Sequence, residues 1–186
     1  TAVFQRFPNA MVQFEAFANL NAFRLLHKYR DQYCTFNDDI QGTASVTLAG
    51  IYSALRLTGG KLSEQQLLFL GAGEAGIGIA DLIVSAMMDE GLTAEEARLR
   101  CWFVDSRGLV ESSRTDLAEH KRPYAHDHAP QKDLLAAVQA LEPTAIIGVS
   151  GRGGMFTQPV VEAMAALNEQ PIVFALSNPT SNSECT

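Results

Sequence analysis

The period of apolar and polar positions changes several times along the chain, and each change predicts an element. Residues 11–15 (MVQFE) are an apolar-rich run ending in an acid and predict a short strand. Residues 17–29 place apolar side chains at 17, 20, 22, 23, 25, 26 and 29, a helical stripe. Residues 33–36 are β-capable. Residues 43–57 (TASVTLAGIYSALRL) mix small and apolar side chains. They predict a buried helix, capped near Thr43 and stopped by Gly59 and Gly60. The rhythm then becomes regular: strand 66–70 (QLLFL), helix 75–88, and a short helix 93–99 opened by Thr93-Ala-Glu-Glu. Strand 101–105 (CWFVD), a polar stretch 106–130 and helix 131–141 come next, then strand 145–149 (AIIGV), helix 159–168 and strand 171–176 (PIVFAL). Strands alternating with helices specify βαβ units. The expected fold is therefore α/β: a Rossmann-like, doubly wound, mostly parallel sheet with helices on both faces.

Composition adds exclusions. With 186 residues, 47% hydrophobic and 19% charged, the chain can bury a core and is not of the disordered class. A net charge of -7 argues against nucleic acid and against anionic membranes as partners. No apolar run reaches the roughly 18 residues that span a bilayer. The three cysteines, Cys34, Cys101 and Cys185, are far apart and odd in number, which suits free thiols in a reducing compartment. A soluble, cytoplasmic protein is expected, with an organellar matrix also compatible. The chain opens in TAVFQRFP and closes in SNPTSNSECT, which reads as a piece of a longer protein.

Between the strand at 66–70 and the following helix lies G-x-G-x-x-G, with Gly71, Gly73 and Gly76. The first glycine permits a tight turn, the second lets backbone approach a pyrophosphate, and the third allows close helix packing. In this context the motif predicts a dinucleotide site on a helix N-terminus. Asp105 ends the next strand, 34 residues after Gly71. The usual spacing to a ribose-binding acid is about 20 residues, and the short helix at 93–99 absorbs the excess. An acid there favours the 2′-hydroxyl of NAD. Ser106 and Arg107 follow it, however, and Lys121 and Arg122 come later, all suited to a 2′-phosphate. The alternative is that this basic run is a solvated loop.

Glu15 ends one predicted strand, and Asp38 and Asp39 follow another. If both strands end at the same sheet edge, the acids converge where open α/β folds bind ligands, and a hard divalent cation is their natural partner. Alternatively, Asp38 caps the helix that starts near Gly42.

The run FNDDIQGTASVTLAG, the preceding QFE-AFANLNAFRLLHKYRDQYCTF, the following FLGAGEAGIGIA and the closing FALSNPTSNSECT closely resemble malic enzyme over essentially the whole chain. The resemblance implies oxidative decarboxylation of L-malate to pyruvate and CO2 with NADP (or NAD) and Mg2+ or Mn2+. It implies Glu15 and Asp39 as metal ligands, with Asp38 in support. Gly71, Ala72, Gly73, Glu74, Ala75 and Gly76 would hold the cofactor pyrophosphate, and Asp105 the adenosine ribose. Ser106, Arg107 and Lys121 match the NADP-preferring pattern. Val149 and Gly151 would line the cofactor cleft, and Asn178 would face malate. The chain then divides into a metal- and substrate-site segment, 1–42, and an NAD(P)-binding domain, 43–186, truncated at its C-terminal end. The full-length protein is expected to be a homo-oligomer.

Two departures qualify this. The family pattern is QFEDF, but Ala16 stands where its second acid would be, which predicts weak metal binding. The family's catalytic Lys and Tyr precede Thr1, so the chain alone is expected to be inactive. A malolactic-type relative and a non-catalytic nucleotide-binding module are the competing functions. Other candidates carry plainer expectations. His126 and His128 are expected in a solvated loop, and Cys34 as a buried thiol. Trp102 and Phe103 are expected in the core, Met87 and Met88 in packing, and residues 23–30 on a half-solvated helix face.

Overall fold

The computed structural model describes residues 2–17 and 19–185. A small parallel pair, β1 (Val12–Phe14) and β2 (Thr35–Asn37), is joined by α2 (Asn19–Tyr29) after a short α1 (Ala2–Arg6). A π-helical turn (Asp38–Gly42) then leads directly into α3 (Thr43–Thr58), which ends at Gly59 in the left-handed conformation. The main sheet follows: β3 (Leu67–Leu70), α4 (Glu74–Asp89), α5 (Ala94–Arg98), β4 (Cys101–Asp105), β5 (Gly108–Leu109), α6 (Leu134–Leu141), β6 (Ala145–Gly148), α7 (Gln158–Leu167) and β7 (Ile172–Ala175). Its order is β5-β4-β3-β6-β7, parallel except for β5, which turns back against β4. The chain leaves β3 first to one side and then returns to the other, so the switch point lies between β3 and β6.

Strand alternation sorts the core into two layers. Leu67, Phe69, Phe103 and Ile147 face α3 and α4, while Leu68, Leu70, Trp102 and Ile146 face α6 and α7. Phe69 and Phe103 stack at 4.7 Å between centroids in the centre of the first layer. Removing either ring would cost about 3–5 kcal/mol. The doubly wound architecture expected from the sequence is thus the one observed.

Several local expectations need correction. Neither Thr43 nor Asp38 caps the helix: Asn37, fully buried, accepts from Ile40 N at 2.9 Å and opens the π turn ahead of α3. The helix expected from residue 131 begins at Leu134, because Asp133 accepts from Ala136 N and caps it there. The polar stretch contains β5 and a 3-10 helix (Glu119–Tyr124) whose last residue, Tyr124, is buried and donates to Asp81 at 2.6 Å. His126 is not solvated. It is buried, lies edge-on to Trp102 and has Nε2 3.0 Å from the Cys101 carbonyl, and burial lowers its pKa. His128 is half-buried against the same indole. The outer face of β4 needs a cover, and these rings provide it. Cys34 is exposed rather than buried, and Met88 is exposed beside a buried Met87.

Candidate functional site

At the switch point, the glycines act by what they lack. Gly71 has φ +113, and a Cβ there would stand 2.7 Å from the Val149 carbonyl oxygen. A Cβ on Gly76 would run into the Gly71 carbonyl. The turn therefore closes tightly between β3 and β6, and α4 begins after Gly73 with no side chain capping it. Its N-terminus faces a cleft of about 820 Å³ lined by Gly71, Gly73, Asp105, Lys121, Gly151 and Arg152, among others. A helix N-terminus at such a turn suits a diphosphate.

The far corner of the cleft is electrostatically unusual. Asp105, at the end of β4, is already engaged. Arg114 holds it at 3.0 and 3.2 Å, Lys121 at 2.7 Å, and the Arg107 N–H at 2.9 Å. Burial alone would raise the Asp105 pKa, but these partners together hold it below the usual carboxylate range. Arg114 is itself clamped: its bonds to Asp116, then to Asp105, raise its pKa further. Asp116 is pushed well down by the same guanidinium and also pairs with Arg107 at 2.8 Å. Ser106 is exposed and lines the cleft. Arg114 and Asp116 were not singled out by the sequence; nothing in their spacing marks them, since only folding brings the loop back beside β4. His120 lines the neighbouring wall, where burial lowers its pKa.

On the opposite side, Val149, Ser150 and Gly151 follow β6, and Gly151 N donates to Ser177 Oγ at 2.9 Å. Asn178 is exposed on the loop after β7, outside the cleft's lining.

The acids lie beside the glycine turn. Strands β1 and β2 are parallel and in register to Phe14 and Asn37, so Glu15 and Asp38 leave them at the same edge of this pair. Asp39 accepts from Ala16 N at 2.8 Å, and Glu15 accepts from Gln13 at 2.9 Å. Asp39 stands close enough to Glu74 to reinforce, after burial, the rise in its pKa. Among the described residues no group of three carboxylate, imidazole or thiolate side chains converges as a cation site. The donors present fit only an open site, with two carboxylates and the remaining positions left to water and substrate, an arrangement that Mg2+ tolerates.

A parallel sheet with a glycine turn at its switch point, a helix N-terminus in the cleft and a cation-rich corner defines a dinucleotide-binding domain. Comparison with known proteins gives the family. The family described as "Malic enzyme, NAD binding domain" matches residues 40–186, and the chain belongs to it. The chain is 60% identical over 178 residues to the NADP-dependent malic enzyme of Rattus norvegicus, covering 96% of this chain and 31% of that protein. It is 58% identical over 178 residues to the chloroplastic NADP-dependent malic enzyme of Solanum lycopersicum, with 95% and 31% covered. Among solved structures it resembles Entamoeba histolytica malic enzyme (27% identity, TM-score 0.75, covering 96% of this chain and 36% of that one). It also resembles NAD-dependent malic enzyme from Thermotoga maritima (26% identity, TM-score 0.78, covering 100% and 46%). The chain thus spans about a third of the length of the curated relatives it matches. No helix among the described residues is long and apolar enough to cross a membrane.

Proposed function

We propose that the chain is the cofactor-binding part of an NADP-preferring malic enzyme, which converts L-malate and NADP+ to pyruvate, CO2 and NADPH. The observation that carries the cofactor preference is the clamped Asp105. Its charge is met by Arg114 and Lys121, so the acid that would repel a 2′-phosphate instead anchors two cations at the cleft edge. Lys121 and Ser106 would reach the phosphate, with Arg107 exposed beside them. The names of the curated relatives support the same preference.

Gly71, Gly73 and Gly76 shape the diphosphate cradle, and the N-terminus of α4 complements its charge. Val149 and Gly151 present backbone to the nicotinamide half. Asn178 offers its amide to malate. Glu15 and Asp39 would hold a divalent cation, with Asp38 supporting the turn between them. When bound, the cofactor accepts the hydride and the cation polarises the substrate oxygen. Residues 1–42 act as the metal and substrate segment and 43–186 as the cofactor domain of a protein that assembles as a homo-oligomer. The chain by itself does not turn over malate.

NADPH and NADH binding by the full-length protein tests this. Lys121→Gln should weaken NADPH by about tenfold to a hundredfold, the worth of a charge-assisted contact, and barely affect NADH. Wild-type protein that prefers NADH would overturn the preference. A non-catalytic nucleotide-binding module is the second reading, favoured by Ala16 and by the incomplete acid cluster. Malate oxidation by the full-length protein separates the two.

A further inference from the structure

Glu184 is fully buried, and nothing in the chemistry above uses it. Its carboxylate sits under the C-terminal ends of β6 and β7. Oε1 accepts from Ser150 N at 3.2 Å, from Ser150 Oγ at 3.3 Å and from Ser177 Oγ; Oε2 accepts from Ser177 N at 3.3 Å. The space it occupies exists because residue 148 is glycine: a Cβ there would run into the Glu184 carboxyl. The backbone carbonyl of Glu184 accepts from Phe156 N at 2.8 Å, which ties it to the segment entering α7. No lysine or arginine among the described ion pairs meets it.

Burying an acid without a cation is strongly unfavourable unless hydrogen bonds satisfy it. Here every bond comes from one of two loops. Residues 149–151 form the nicotinamide-side wall of the cleft, and Ser177 immediately precedes Asn178. Ser177 Oγ serves both sides, donating to Glu184 and accepting from Gly151 N. An apolar residue of similar size would fill the space but would leave the two loops free to slide against each other.

We infer that Glu184 is a positioning residue that, through Ser150 and Ser177, locks the cleft wall to the Asn178 loop, so that cofactor and hydroxy acid are held in one register. This rests on the malic enzyme reading, because it assigns the two loops to the two ligands. The lock makes the ligands interdependent: loosening it at either serine weakens both.

The test uses the full-length protein carrying this chain. Glu184→Gln keeps the shape but turns an amide N–H2 toward a ring of donors. Ser177→Ala removes only the shared hydroxyl. Gln66→Ala is the control: Gln66 bonds the Leu141 carbonyl at the opposite end of the sheet, at 2.6 Å. The Kd for NADPH and the KM for malate should rise together by about tenfold in Glu184→Gln and in Ser177→Ala. In the double variant the effects should not add. Gln66→Ala should lower Tm with both constants within about twofold of wild type. The proposal is overturned if Glu184→Gln and Ser177→Ala lower Tm yet leave both constants within about twofold of wild type. Should Glu184→Gln fail to fold, Ser177→Ala decides by the same criterion. A wild-type protein that binds NADPH but does not oxidise malate would sink the functional reading instead, and the NADPH constants would still judge the lock.

Discussion

At the scale of single residues, Asp105 has its carboxylate committed to Arg114, Lys121 and the Arg107 N–H before any ligand arrives. A ribose hydroxyl approaching it meets acceptors already in use. Arg114→Gln would leave Asp105 with Lys121 as its one cationic partner beside the Arg107 N–H, so NADPH affinity should fall and NADH affinity should rise, shrinking the ratio of the two Kd values. The same clamp predicts a pH dependence. The folded-state pKa of Asp105 lies below its unfolded value of about 3.9. Its contribution to stability is therefore complete above about pH 5, and is lost as pH falls through the unfolded and then the folded pKa. Unfolding free energy measured against pH should show a flatter acid limb in Asp105→Asn. The chain order alone revealed Asp105, Lys121 and Arg107 but not Arg114, because its meaning depends on a polar loop folding back over nine positions. The burial of His126 is hidden in the sequence for the same reason: its loop looks solvated until folding lays it edge-on against Trp102 of β4.

At the scale of elements, what was legible was what is local. The strand at 67–70 and helix α4 were visible because apolar runs and glycine spacing lie next to each other in sequence. The Thr93 start of α5 was visible because both halves of its capping box, Thr93 and Glu96, are three positions apart, and both bonds form. Strand β5, two residues long, carries too little pattern to be read. The π turn was hidden because Asn37 looks like any strand end until its side chain is seen to cap Ile40. The glycine turn gives the prediction at this scale. Gly76→Ala forces a methyl into the Gly71 carbonyl, an overpacking that costs about 1–3 kcal/mol and opens the turn. Thermal denaturation should show a lower Tm, and NADPH titration a Kd raised by at least about tenfold. An unchanged Kd would mean that the diphosphate is held elsewhere.

For the molecule as a whole, the proposed reading requires the acid edge of the β1–β2 pair and the glycine turn of the main sheet to be kept at a working distance. Ala16 bears on the first. It sits at φ 58, a left-handed conformation in which aspartate is more at ease than alanine. Ala16→Asp should therefore add a carboxylate ligand without adding to the backbone strain already present at this position. Calorimetry on the full-length protein should then show the Kd for Mn2+ tightening by at least about tenfold, as carboxylate count tunes cation affinity. An equal Kd in both proteins would show that position 16 does not face the cation. Gly78 lies where the helix of the glycine turn meets the turn that carries the acids. Helix α4 carries the glycine turn at its start, and one turn later it rests bare backbone on Ile40, the residue after Asp39; a Cβ on Gly78 would lie 2.7 Å from Ile40 Cγ2 and 2.9 Å from its carbonyl oxygen. The helix thus works as a ruler, and its calibration is the absence of one methyl group. In the proposed enzyme, lengthening that ruler with Gly78→Ala would push the acids away from the nicotinamide without touching either, so malate oxidation by the full-length protein should slow while NADPH and Mn2+ still bind.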